Sequence, residues 1–164
     1  MDQLWTPEIE ARAKQARSFG DLGGIGGEVL YEIGKIYGPK VKLGMVSGPI
    51  SNGGLGSVAA NMEAFERTVS LLQILGTPLF SQLPFEPHMW RIAESEGADF
   101  DPKELLEGFY FPLLMSGRIG ALYFIHGWES SNGARWEHEQ ALSVGLQRVF
   151  LPEGFHLLQI CRER

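Results

Sequence analysis

Glu137 is a carboxylate in a place where solubility alone does not explain it. It follows an apolar run of strand length, Ala121 to Ile125, and a polar loop, His126 to Asn132, with Ser131 or Asn132 as N-cap of the helix beyond. On that helix Ala134, Ala141 and Gly145 share one stripe, and Glu137 falls between the first two on the same stripe. A carboxylate on the sheet-facing side of a helix is costly unless something pairs with it. Either Glu137 complements the positive end of the helix dipole, or it is a functional group held in a crevice.

A second stretch with chemical potential is Ser47-Gly48-Pro49-Ile50-Ser51-Asn52-Gly53-Gly54-Leu55-Gly56, between the apolar run Val41 to Ser47 and a helix capped by Ser57. A loop rich in glycine and hydroxyls at a strand end presents free backbone N–H groups, which is anion-binding chemistry. An ordinary flexible turn is the alternative. Gly54-x-Gly56-x-x-Ala59 resembles a dinucleotide fingerprint, but the next strand, Thr77 to Ser81, ends without the expected ribose-binding acid, and no P-loop Lys-Ser/Thr pair occurs. The run Gly20 to Gly27 follows a helix rather than a strand and reads as a flexible connector.

Other chemistries are poorly served. His88, His126, His138 and His156 are scattered without metal-ligand spacing, and Cys161 is the single cysteine, so neither a metal nor a cofactor is expected. A net charge of -6, from 14 basic and 20 acidic residues with no Lys/Arg cluster, argues against polymeric nucleic acid as a partner. No apolar run is long enough for a membrane span and no leader is evident, so a cytoplasmic protein is expected.

The elements that must hold these residues follow from periodicity. Helices are expected over Pro7 to Phe19 and over Glu28 to Tyr37, the second with the stripe Val29, Leu30, Ile33, Ile36. The helix after Ser57 carries Val58, Met62, Phe65, Val69, Leu72 and Leu75 and stops at Gly76. A long connection from Gln82 to Pro102, with a short helix over Glu86 to Glu96, reads as a lid or pocket wall. Lys103 to Gly117 is helical at its start and broken by Pro112. Arg118 to Ile125 and Arg148 to Leu151 read as strands, Ala134 to Leu146 as a helix, and the tail from Phe155 to Ile160 as a docked segment, one more strand being an option. Alternating strands and helices predict an α/β fold: a doubly wound, mostly parallel Rossmann-like sheet over 41–164, with a helical extension over 1–40. Ligands of such sheets sit beyond the carboxyl ends of the strands, where both loops belong.

Ser47-Gly48-Pro49-Ile50-Ser51, Asn61 and Phe65, and Gly127-Trp128-Glu129-Ser130-Ser131-x-Gly133-Ala134-x-x-Glu137-x-x-x-Ala141 together resemble the nucleoside 2-deoxyribosyltransferase-like fold. The branch it is most similar to is the small domains of phages and bacteria related to deoxynucleoside 5'-monophosphate N-glycosidases. The resemblance covers roughly residues 42 to 151. It implies that Glu137 attacks the anomeric carbon, that Ser131 and Gly133 hold a 5'-phosphate, and that the loop Ser47, Gly48, Pro49, Ile50, Ser51, Asn52, Gly53 and Gly54 encloses sugar and phosphate. It also implies a homodimer or larger homo-oligomer. Trp128 and Trp136 offer flat faces for a base or for core packing, and Arg135 faces a phosphate or solvent.

Two acids of the active members are missing: their places fall on Pro112 and Gly120. Glu104, Glu107, Asp99, Asp101, Glu129 and Glu139 are the substitutes within the sequence, Glu139 pointing away from Glu137 on its helix. The expected function is therefore an N-glycosidase or deoxyribosyltransferase acting on a nucleotide or nucleoside through Glu137. The alternative is a binding module of the same fold that senses or sequesters a nucleotide.

Overall fold

The structure, a computed structural model, describes residues 4–159. In chain order its elements are α1 (Pro7–Gln15), α2 (Phe19–Tyr37), β1 (Leu43–Ser47), α3 (Val58–Ile74), α4 (Glu86–Glu96), α5 (Pro102–Leu105), a π-helical turn (Leu106–Tyr110), α6 (Phe111–Leu114), β2 (Ile119–Phe124), α7 (Asn132–Val144) and β3 (Gln147–Phe150). Among the described residues no helix is long and apolar enough to cross a membrane. The chain forms two compact units: one of residues up to Lys42 with Gln82–Ile119, the other of Leu43–Ser81 with the residues from Gly120 onward. This divides the chain differently from a split into 1–40 and 41–164.

The first unit is helical. Its glycine run is not a connector: Gly20 to Gly27 lie inside α2, which begins at a capping box where the Asp21 N–H donates to Ser18 Oγ at 3.1 Å and the Ser18 N–H to Asp21 Oδ2 at 3.0 Å. The glycines survive in a helix because one face of them is needed for packing. A Cβ on Gly23 would lie 2.2 Å from the Gly108 carbonyl oxygen, and one on Gly26 would press on Phe109 and Leu113. Gly108 belongs to the π-helical turn, four residues before Pro112, which has no N–H to return to that carbonyl. Pro112 therefore does not divide the segment as expected: the backbone stays helical from Pro102 to Leu114, and the missing N–H is accommodated by the π-helical turn over Leu106–Tyr110. Val29, Leu30 and Ile33 are buried in this unit, whereas Ile36 is 67% exposed.

Polar groups are also built into this unit. The Trp5 indole N–H donates to Glu10 Oε2 at 2.7 Å, and His88 Nε2 lies 3.3 Å from the same oxygen. Arg91 donates to the Ala13 and Ala16 carbonyls at 3.1 and 2.8 Å, capping the end of α1. Glu86, only 6% exposed, has its carboxyl pushed up to about 7 by burial, with a hydrogen bond to Tyr110 acting in the opposite direction.

The second unit is an α/β arrangement around an open parallel sheet of three strands, in the order β1-β2-β3 among the described residues. β2 and β3 pair with Ala121 opposite Gln147 and Phe124 opposite Phe150. β1 is buried along its whole length. The strand expected over Thr77 to Ser81 is reduced to one parallel bridge, Leu79 against Gly44, held by Gly44 N–H to the Pro78 carbonyl at 2.8 Å and Phe80 N–H to the Gly44 carbonyl at 2.9 Å. Pro78 has no N–H, so the ladder cannot extend past it towards Thr77. Ser57 caps α3 through the Ala60 N–H at 3.1 Å, and Ala64, Phe65, Val69 and Leu72 form its buried face. The tail does not add a strand within the described residues: Phe155–Leu157 is a 3-10 turn whose N–H groups bond locally to Pro152 and Gly154, and Ile160 and Cys161 lie outside the described residues.

Candidate functional site

The site is built where β1 and β2 end. Ser47 closes β1 and is fully buried, and the Ile125 N–H, just past the end of β2, donates to the Ser47 carbonyl at 2.9 Å. Ser131 caps α7 by accepting from the Ala134 N–H at 3.3 Å, which settles the choice between Ser131 and Asn132. From that cap the helical repeat carries Ala134, Glu137 and Ala141 to the buried face. Glu137 is 5% exposed, and the Ser47 hydroxyl donates a short hydrogen bond to its Oε2. A buried carboxyl needs such donors, because desolvation without them costs several kcal/mol.

The loop after β1 is fastened rather than loose. Asn61, buried on α3, uses its whole amide on it: Nδ2 donates to the Ile50 and Gly53 carbonyls at 3.2 and 3.0 Å, and Oδ1 accepts from the Leu55 N–H at 2.7 Å. The Gly54 N–H donates to Ser130 Oγ at 2.7 Å, and the Asn132 N–H reaches Asn52 Oδ1 at 3.4 Å. Gly53 and Gly54 have φ of 69° and 65°, and a Cβ on Gly53 would sit 2.4 Å from Ser130. Only glycine fits there. Several of the N–H groups expected to face an anion are thus already bonded within the protein.

Beside this loop lies a cleft of about 280 Å³, near the lower end of the ~300–1,000 Å³ usual for small-molecule sites. Its walls include Pro49, Leu55, Asn61 and Thr68, then Ile125 and His126, then the segment from Leu151 to His156. The last segment is anchored by the Leu151 N–H to the Phe124 carbonyl at 2.9 Å and by Arg67 Nε to the His156 carbonyl at 2.8 Å. Its titratable side chains are His126, Glu153 and His156. Among the described residues no three His, Cys, Asp or Glu side chains gather as a metal ion would require.

Of the residues singled out from the sequence, Ser47 meets Glu137, while Asn52, Gly53 and Gly54 meet the loop of Ser130 and Asn132. Pro49 lines the cleft; Gly48 packs on Ile125, and the Ile50 carbonyl is bonded by Asn61. Ser51 is exposed, and Ser131 is a buried cap. Gly133 lies half-buried in the first turn of α7. Trp128 stacks on His138 at 4.5 Å and joins Phe124 and Phe150 in one aromatic cluster. Arg135 is engaged with the Glu129 carbonyl and Asn132 Oδ1. Glu107 pairs with Lys103 at 3.5 Å on an exposed face of the first unit. Neither Ser47 nor Glu137 is among the residues lining the cleft, and Ile125 connects the two places through its side chain and its N–H.

Sequence reasoning missed the cleft wall from Leu151 to His156, and it placed His126 at the head of a crevice-lining loop without giving it a role. The signal available was weak: a histidine directly after an apolar strand run, at the end where α/β sheets bind ligands. Comparisons with protein-family models, curated proteins and solved structures returned no match.

Proposed function

We propose that the second unit is a nucleoside- or nucleotide-processing domain and that Glu137 is its nucleophile at the anomeric carbon. The observation that carries the reading is the Glu137 carboxyl, buried on α7 and held by the Ser47 hydroxyl at the end of β1. A carboxylate suits this step because it stabilises positive charge on an oxocarbenium-like carbon and can also bond to it. Attack breaks the bond to the base and leaves a glycosyl ester on Glu137, which water or a second base resolves. Ser47 fixes one carboxylate oxygen, and with it the plane in which the carboxylate is presented. Ser131, Gly133 and the loop from Gly48 to Gly54 then surround sugar and phosphate. Leu79 on one side of β1 and β2 with β3 on the other supports a doubly wound sheet, with its switch point where Ser47 ends.

A second reading, a binding module without turnover, is favoured by one observation: the cleft does not include Glu137 in its lining. Incubating the protein with deoxynucleoside and ribonucleoside monophosphates and free nucleosides, following base release and thermal stabilisation, separates the two. Base release by the wild type that disappears in Glu137→Gln is the expected outcome. Stabilisation without release, retained in Glu137→Gln, replaces the enzyme with the binding module. Neither signal removes both readings.

A further inference from the structure

We infer that His126 is the proton donor to the departing base and that the cleft beside it is the subsite for that base; the inference rests on the glycosidase reading of Glu137. Nucleobases leave slowly from sugars unless they are protonated or strongly hydrogen-bonded, and proton donation is typically worth about 10²- to 10⁴-fold. The resemblance puts Pro112 and Gly120 where the related enzymes carry acids, and the acidic residues of α5 and the π-helical turn are exposed, Glu107 being tied to Lys103.

The second unit supplies another group. His126 lines the cleft one residue beyond Ile125, whose N–H is bonded to Ser47, and Ser47 in turn holds Glu137. His126 therefore lies just past the end of β2, and the Glu137 carboxyl of α7 is held at the end of the neighbouring strand β1. The other described histidines are used differently. His88 is bonded to Glu10 in the first unit, and His138 lies 2.9 Å from Arg148 and stacks on Trp128. His156 lies in the cleft on the segment held to α3 through its own backbone carbonyl. His126 makes no hydrogen bond among the described residues, so its ring is available to a ligand. Imidazole is also the side chain best suited to giving and taking a proton near neutral pH.

One carboxylate oxygen of Glu137 forms a bond to the anomeric carbon while the carbon–nitrogen bond breaks. The electron pair goes to the base, and the proton on the imidazolium of His126 goes with it. Neutral His126 then takes a proton from the water that cleaves the glycosyl ester, which returns the imidazolium and frees Glu137. The net reaction consumes one water and yields free base and free sugar or sugar phosphate.

The test compares wild type, His126→Gln, His126→Asn, Glu153→Gln and His156→Gln on two substrates. One is the deoxynucleotide the wild type cleaves best; the other is a 4-nitrophenyl deoxyriboside, whose leaving group needs no proton. Thermal unfolding of each variant is recorded alongside. Folded His126 variants should release base at least about 100-fold more slowly, yet cleave the activated substrate within a factor of about 3 of wild type. Equal losses on both substrates would mean a positioning role, and no loss on either would mean no role; each overturns the inference while leaving Glu137 in place. A loss confined to the natural substrate in Glu153→Gln or His156→Gln instead moves the acid to that residue. If the wild type releases no base from any substrate, the glycosidase reading fails and His126 falls with it.

Discussion

At the scale of single residues, the structure spends polar groups where they are expensive. Ser47→Ala removes a donor from the buried Glu137 carboxyl and should cost about 1–3 kcal/mol, read as a lower urea midpoint; an unchanged midpoint would mean that the hydroxyl contributes nothing to holding the carboxyl. Glu86 carries the clearest pH dependence. Burial raises its carboxyl from 4.5 to about 7, so the folded protein keeps a proton that the unfolded chain releases between those values. Its contribution is full below about 4.5 and is lost as the pH rises through about 7, on the order of 3 kcal/mol in all. Urea titrations across that window should show the decline in wild type and a flatter profile in Glu86→Gln; identical profiles would remove Glu86 as the source. Glu137 was legible in the sequence because helical periodicity put it on an apolar stripe. Glu86 was not, because Pro87 and His88 beside it give the segment a surface-like composition and only the packed unit decides its burial.

At the scale of elements, the glycines of α2 divide into two kinds. Gly23 faces Gly108 at a distance that admits no side chain, while nothing lies within 4 Å of a Cβ on Gly24. Gly23→Ala should therefore destabilise by about 1–3 kcal/mol. Gly24→Ala should stabilise by about 0.5–1 kcal/mol, since it lowers the entropy of the unfolded chain without a clash. Thermal melts of the two variants give opposite shifts if the helix is continuous, and similar small shifts if the segment is a loop. Glycine-rich composition reads as flexibility because the surface that needs the glycines, the π-helical turn, is far away in sequence. The elements around Glu137 were easier to read, since Ser57, Ser131, Gly76 and Gly145 mark helix ends through local chemistry alone. The Thr77 to Ser81 segment reads as a strand by its apolar residues, yet only Leu79 forms a bridge, and the missing N–H of Pro78 stops the ladder on the Thr77 side.

At the scale of the whole molecule, residues 4–40 are structural partners of 82–119 and not an appendage. Deleting them would uncover Phe109 and Leu113 where Gly26 packs, and would leave Arg91 without the carbonyls of Ala13 and Ala16. A chain beginning at Val41 should accordingly lose helical signal beyond the deleted residues; a circular dichroism spectrum with the remaining helicity intact would show that 82–119 folds unaided. The hydrogen bond between Ser47 and Glu137 spans 90 positions of chain. On the ribosome, β1 emerges 90 positions ahead of Glu137, so an apolar strand meant to be buried along its length is exposed before the residue that pairs with its last hydroxyl has been made. Its hydroxyl waits for its carboxyl over that interval, during which the strand is open to wrong partners.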